Sequence, residues 1–247
     1  MEIVSAGSPH LVQAAPVLVM VPLRRIQHVL WGLTAALVLA DGVASIGAGL
    51  RLLPFTATRF FDGDYKVNFP TGEKLLLLLT ATVLLFGCWT AARRAVDRAA
   101  TGWLLLGLCT AFALMDETVY LHQSLAAVLH DHLALGGPLA YAWTIVYVPM
   151  AALASVFLLR NLRSMHPRVR RLLMPGGIVY VTGAIVLEPV KSQLMERYGE
   201  TSMPLKAAAA LSDSLQLIGL TLLVCSLLTA ASLLTSGFTL QFEHRHE

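Results

Sequence analysis

Six apolar runs, each near the ~20 residues a helix needs to cross a bilayer, constrain this chain more than any other feature. They lie near Ile26–Leu50, Lys74–Ala92, Gly102–Leu121, Leu139–Leu159, Leu172–Glu188 and Leu205–Leu234. Hydrocarbon offers backbone amides no partners, so each run has to satisfy its own as a helix. The sequence therefore predicts an all-α, membrane-embedded bundle of six transmembrane helices. A longer outer loop, Arg51–Glu73, separates the first two spans. Charged residues make up 13% of the chain, against roughly a quarter in soluble domains. This excludes a disordered chain and an ordinary cytosolic enzyme. A net charge of +3 is too small to call for nucleic acid as a partner; the partner is the lipid bilayer.

The chain divides into an N-terminal cytoplasmic or interfacial segment (1–25), the transmembrane domain (26–235) and a cytoplasmic tail (236–247). Leu11–Leu23 is apolar but short, carries Pro16 and Pro22, and lacks the basic leader of a signal peptide. With both termini inside, the cytoplasmic segments hold eleven Lys and Arg and the outer ones seven. That bias sets the orientation. Trp31, Trp89 and Trp103 then fall at the cytoplasmic interface, and Pro149 falls mid-span, where it kinks the fourth helix. Thr71 is placed to cap the second span. The Ala40, Ala44, Ala48 face reads as packing, and Cys88, Cys109 and Cys225 as small core residues.

A carboxylate in hydrocarbon costs about 2.5–3.5 kcal/mol even on lenient scales, so those inside the spans need a reason. They are Asp41, Asp116, Glu117, Glu188 and Asp213. At 1.5 Å per residue, Asp41 and Glu117 lie about 22 Å and Glu188 about 24 Å from the cytoplasmic ends of their spans. Asp213 lies about 12 Å below its outer end. All fall in the outer half of a core ~30 Å thick. Asp116, Tyr120 and Gln123 form one helical stripe, with His122 rotated away from it. Ser212, Ser214 and Gln216 surround Asp213, while Lys191 and Lys206 offer counter-charges to Glu188 and Asp213. Candidate ligand- or proton-binding residues are therefore Asp41, Asp116, Glu117, Tyr120, Glu188, Asp213 and Gln216.

After the third span, His122, His130 and His132 with Asp131 offer donors for a divalent metal, although no zinc signature such as H-E-x-x-H is present. Asp62-Gly63-Asp64 opens like a calcium loop, but Lys66 at the next ligand position excludes an EF-hand. Gly176-Gly177 begins no phosphate-binding fingerprint, and no G-x-S-x-G supports a serine hydrolase.

Several of these residues carry a resemblance. Phe61-Asp62-Gly63-Asp64 with Asn68 and Pro70, Asp116-Glu117 with Leu121-His122, and Leu187-Glu188 are its markers. Together they resemble an uncharacterised family of bacterial polytopic inner-membrane proteins with an Asp-Glu-x4-His motif ending the third span. The resemblance implies fold and topology and carries no activity. Relatives in that group pair His with Glu where this chain has His122-Gln123, and pair glutamates where it has Ser212-Asp213. Both departures remove carboxylates and argue against a dinuclear metal site.

Three readings stay open. The first is a protein whose outer-facing acidic cavity binds or transports a proton, a cation or a polar small molecule. The second is a structural or assembly subunit, alone or as an oligomer, without chemistry of its own. The third is an intramembrane metal-dependent enzyme acting on a lipid-borne substrate, with Glu117, His122 and Glu188 as ligands or bases. The residues alone leave open whether the chain is an enzyme.

Overall fold

A computed structural model describes residues 22–61, 68–133 and 143–234. The Asp62-Gly63-Asp64 run, the N-terminal Leu11–Val21 stretch and the tail beyond residue 234 lie outside the described residues. Those described form the helices α1 (Leu23–Gly49), α2 (Phe55–Thr58), α3 (Phe69–Arg94), α4 (Ala100–Val119), α5 (Leu121–Leu133), α6 (Thr144–Leu162), α7 (Pro167–Val181), α8 (Glu188–Tyr198) and α9 (Met203–Leu234). A π-helical segment, Thr182–Val186, joins α7 to α8. No strand occurs among the described residues. Six spans are long and apolar enough to cross a membrane, with α7, the π segment and α8 forming one of them. The chain is thus a multi-pass membrane protein, with side chains such as Val29, Leu39, Leu76 and Val156 exposed toward lipid.

Helix α9 is the centre of the bundle. It packs against α1, α3, α7 and α8, and 67% of its apolar stretch is buried, against 11% for α6. Leu217, Leu220, Val224 and Leu227 of α9 interlock with Leu78 and Leu85 of α3, all of them nearly inaccessible. Lipid tails are as apolar as leucine, so burial alone gives helices little reason to associate; close packing and interhelical hydrogen bonds do that here. Gln27 of α1 donates to the Cys225 carbonyl and to Thr229 Oγ1 on α9. Ser226 of α9 donates to the Leu172 carbonyl of α7.

A buried chain ties three helices together. Thr34 Oγ1 of α1 donates to Glu73 Oε1 of α3 at 2.7 Å. Its one proton is then committed, so Thr221 of α9 donates to Thr34 across their 2.7 Å contact. Thr34→Val, similar in shape but without the hydroxyl, is expected to cost about 1–3 kcal/mol by stranding a buried carboxyl group. Glu73→Gln, whose amide oxygen still accepts, costs far less. Thermal melts in detergent check this, and an unshifted Thr34→Val would mean the chain does not hold the helices.

Several sequence-based expectations change in detail. The span predicted from Lys74 begins at Phe69, because Asn68 is the better cap: its side chain accepts from the Thr71 amide at 2.6 Å. Thr71 is therefore inside the helix. The fifth span continues to Tyr198 rather than ending at Glu188, since Pro189 stands in the first turn of α8, where proline is tolerated. Trp103 is 2% exposed and belongs to the core, not to an interfacial belt. Pro149 lies in the second turn of α6, not at mid-span.

Candidate functional site

A cavity of about 760 Å³ runs along the bundle, with its polar groups at the end away from the Arg93–Arg98 and Arg160–Arg171 turns. Its walls come from α3 through α9, and α1 contributes nothing to it. Six of the seven binding residues expected from sequence line it: Asp116, Glu117, Tyr120, Glu188, Asp213 and Gln216. Asp41 does not. It is buried on α1, with Ser45 Oγ 3.4 Å from its Oδ1. Its place on α1 keeps it out, because α1 packs on α9 and α3 and lines no part of the cavity.

A helix break builds one wall. Tyr120 adopts left-handed φ/ψ of 55° and 44°, which ends α4 and restarts the chain as α5. This turn brings His122 to the cavity, contrary to the continuous-helix expectation that rotated it away. Asp116 fixes the turn by accepting from the His122 amide and from His122 Nδ1, each at 2.8 Å. A carboxylate only accepts, so Nδ1 carries the proton. Tyr147 OH of α6 donates to Asp116 as well, at 2.8 Å. Phe112, Tyr147, Trp143 and His122 continue as an aromatic wall, with successive ring centroids 5.8, 5.0 and 5.4 Å apart.

The opposite wall is a polar relay. Lys74 of α3 pairs with Glu117 of α4 at 2.9 Å and donates to Gln216 Oε1 of α9 at 3.2 Å. Gln216 donates in turn to Ser212 Oγ, and Ser212 donates to the Gly183 carbonyl at 2.9 Å. Gly183 sits in the π segment, whose wide turn closes through Leu187 N to Thr182 O. Such bulges recur at functional sites. Here the bulge presents Ala184 and Ile185 to the cavity, and after Leu187 comes Glu188, which pairs with Lys191.

Two of the three histidines expected to hold a metal are set apart along α5. His122 and His132 stand ten residues apart on one helix, about 15 Å, and the His130 side chain lies outside the described residues. No group of three or more His, Cys, Asp or Glu placed to hold a metal occurs among the described residues. The metal-enzyme trio all line the cavity, where Glu117 pairs with Lys74, His122 with Asp116 and Glu188 with Lys191.

Sequence reasoning missed Lys74, Trp143, Tyr147 and Tyr180, all of which line the cavity. The one available signal for Lys74 was its place ahead of an unbroken leucine run. A helix capped at Asn68 carries it a full turn inside the span.

A family model described as a domain of unknown function, DUF8692, matches residues 29–231. No curated protein and no solved structure matches the chain at a significant level.

Proposed function

The chain belongs to the DUF8692 domain family, whose function is unknown, and from its cavity we propose that it binds a cationic, amine-bearing polar small molecule. The membrane is a bacterial inner membrane, the cavity faces outward, and both termini are cytoplasmic. The eleven-to-seven excess of Lys and Arg on the opposite side supports that orientation.

The observation that carries the reading is the convergence of Asp116, Glu117, Glu188 and Asp213 with Lys74 and Lys191 on one cavity. Two ammonium groups stand there against four carboxyl groups. The wall of Trp143, Tyr147, Phe112 and His122 adds ring faces, and ring faces attract a cation where water is excluded. Carboxylate pairing and aromatic wall thus favour the same sign of ligand. A purely structural subunit would also pair Glu117 with Lys74 and Glu188 with Lys191. It would have no use for a cavity of about 760 Å³ beside those pairs.

Calorimetry on detergent-purified protein tests this, with ethylamine and choline set against acetate and phosphate. The amines are expected to bind and the anions not. Glu117→Gln and Asp213→Asn should each weaken amine binding about tenfold or more, since a hydrogen bond to a charged partner is worth ~1.5–3 kcal/mol. Equal binding of the anions, or no effect of either substitution, overturns the proposal.

A further inference from the structure

We infer that the ligand is a membrane amphiphile, with its amine at the carboxylate end of the cavity and its apolar tail held between α4 and α6. This rests on the cationic reading of the polar end and extends it to the whole molecule.

The cavity continues well below its polar groups. On α4, Leu105, Leu108 and Phe112 line it beneath Asp116; on α6, Met150, Ala154 and Leu158 line it beneath Tyr147. The spacings are helical: 105, 108, 112 and 116 share one face of α4, and 147, 150, 154 and 158 share one face of α6. Two apolar faces therefore look at each other across a gap that they do not fill. From Leu105 to Asp116, and from Leu158 to Tyr147, the limb runs eleven residues, about 16 Å. One leaflet of a hydrocarbon core ~30 Å thick is about 15 Å deep. The limb has the length of a lipid tail.

A small soluble cation leaves this limb unfilled. It leaves Leu108 and Met150, 51% and 40% exposed, without an apolar partner, and water gains nothing beside such surface. An alkyl chain covers that surface and keeps the amine among the carboxylates. The route in for a tail is past α6. Helix α6 is the least buried of the spans and meets the bundle chiefly through α4. Small side chains, Ala151, Ala154 and Ser155, stand on its cavity side.

Ethylamine, hexylamine and dodecylamine serve as probes on protein in maltoside detergent, with dodecanoate as the anionic control. Affinity should rise with tail length by up to about fourfold per methylene buried. Ala154→Trp, which blocks the limb, should abolish that rise while leaving ethylamine binding unchanged; the variant-to-wild-type ratio cancels partition into micelles. If Ala154→Trp fails to fold, Ala151→Leu narrows the same limb with less bulk, and the rise should flatten. Ethylamine binding with no dependence on tail length overturns the amphiphile and leaves the cationic reading standing. Dodecanoate binding as tightly as dodecylamine, still sensitive to Ala154→Trp, overturns the cationic reading and with it the amine-bearing occupant. Tail dependence that persists unchanged in both variants places the tail elsewhere and overturns the inference.

Discussion

Gly219→Ala is expected to cost more stability than any other single methyl group added to this protein. Helices α7 and α9 meet there backbone to backbone. A Cβ on Gly219 would lie 2.7 Å from Tyr180 Cα and 2.9 Å from the Gly176 carbonyl oxygen. Neither neighbour is a side chain that can swing aside, and comfortable contact between carbons is ~3.5–4.0 Å. The helices would have to part by about an ångström. Gly176 and Gly183 lie on the same seam, where a Cβ would approach the Leu223 amide nitrogen to 2.8 Å and the Ser212 carbonyl oxygen to 2.6 Å. Parting at Gly219 therefore strains the Ser212-to-Gly183 hydrogen bond and the cavity wall above it. Overpacking a fitted core costs typically ~1–3 kcal/mol and occasionally more; a backbone clash in the middle of the central helix belongs at the upper end. Gly177→Ala is the control, because nothing lies within 4 Å of its Cβ position and alanine is the better helix former. In thermal melts of purified protein, Gly219→Ala should melt well below wild type and Gly177→Ala at or above it. Equal melting of all three would mean that α7 and α9 do not meet through this seam.

That seam was not legible in the sequence, and the reason is geometric. Runs of apolar residues fix which segments are helices and how deep each residue lies. Neither fact says which face of a helix meets which neighbour when every face is apolar. Asp41 and Glu117 count to the same depth along their spans, yet only Glu117 reaches the cavity, because α1 packs on α9 and α3 and lines none of it. As a dipeptide Gly176-Gly177 offers only the absence of a phosphate-binding fingerprint; in the fold Gly176 is a helix contact and Gly177 is not. Polar residues did better, since four carboxylates at one depth in hydrocarbon have few ways to be satisfied except together. The left-handed turn at Tyr120 is hidden because a tyrosine, not a glycine, stands at the break; the π segment at Thr182–Val186 is hidden because its one glycine, Gly183, reads equally well as a close contact in an ordinary helix. They are what turn His122 and Glu188 into the cavity.

Lys74 shows the same limit at one residue and carries the second large effect. Counted from the leucine run it is a flanking charge; counted from Asn68 it is one turn inside α3 and faces Glu117 and Gln216. The two charged side chains are only 12% and 16% exposed. Lys74→Ala leaves Glu117 without its counter-charge and Gln216 Oε1 without its donor. Breaking a buried pair from one side costs about 3–5 kcal/mol, because the surviving charge stays desolvated. Replacing both members is far milder, since no charge is stranded. The melting order expected is wild type, then Lys74→Met/Glu117→Gln close behind, then Lys74→Ala lowest. Glu117→Gln alone should fall between, as its amide still accepts from Lys74 while the ammonium loses its counter-ion. A double-mutant cycle built on Lys74→Met and Glu117→Gln should return a coupling of at least about 1 kcal/mol. Additive single effects would mean that the pair is hydrated and structurally idle, which leaves Glu117 free to serve the ligand alone. Strong coupling makes Lys74 the group that holds Glu117 charged and in place before any ligand arrives.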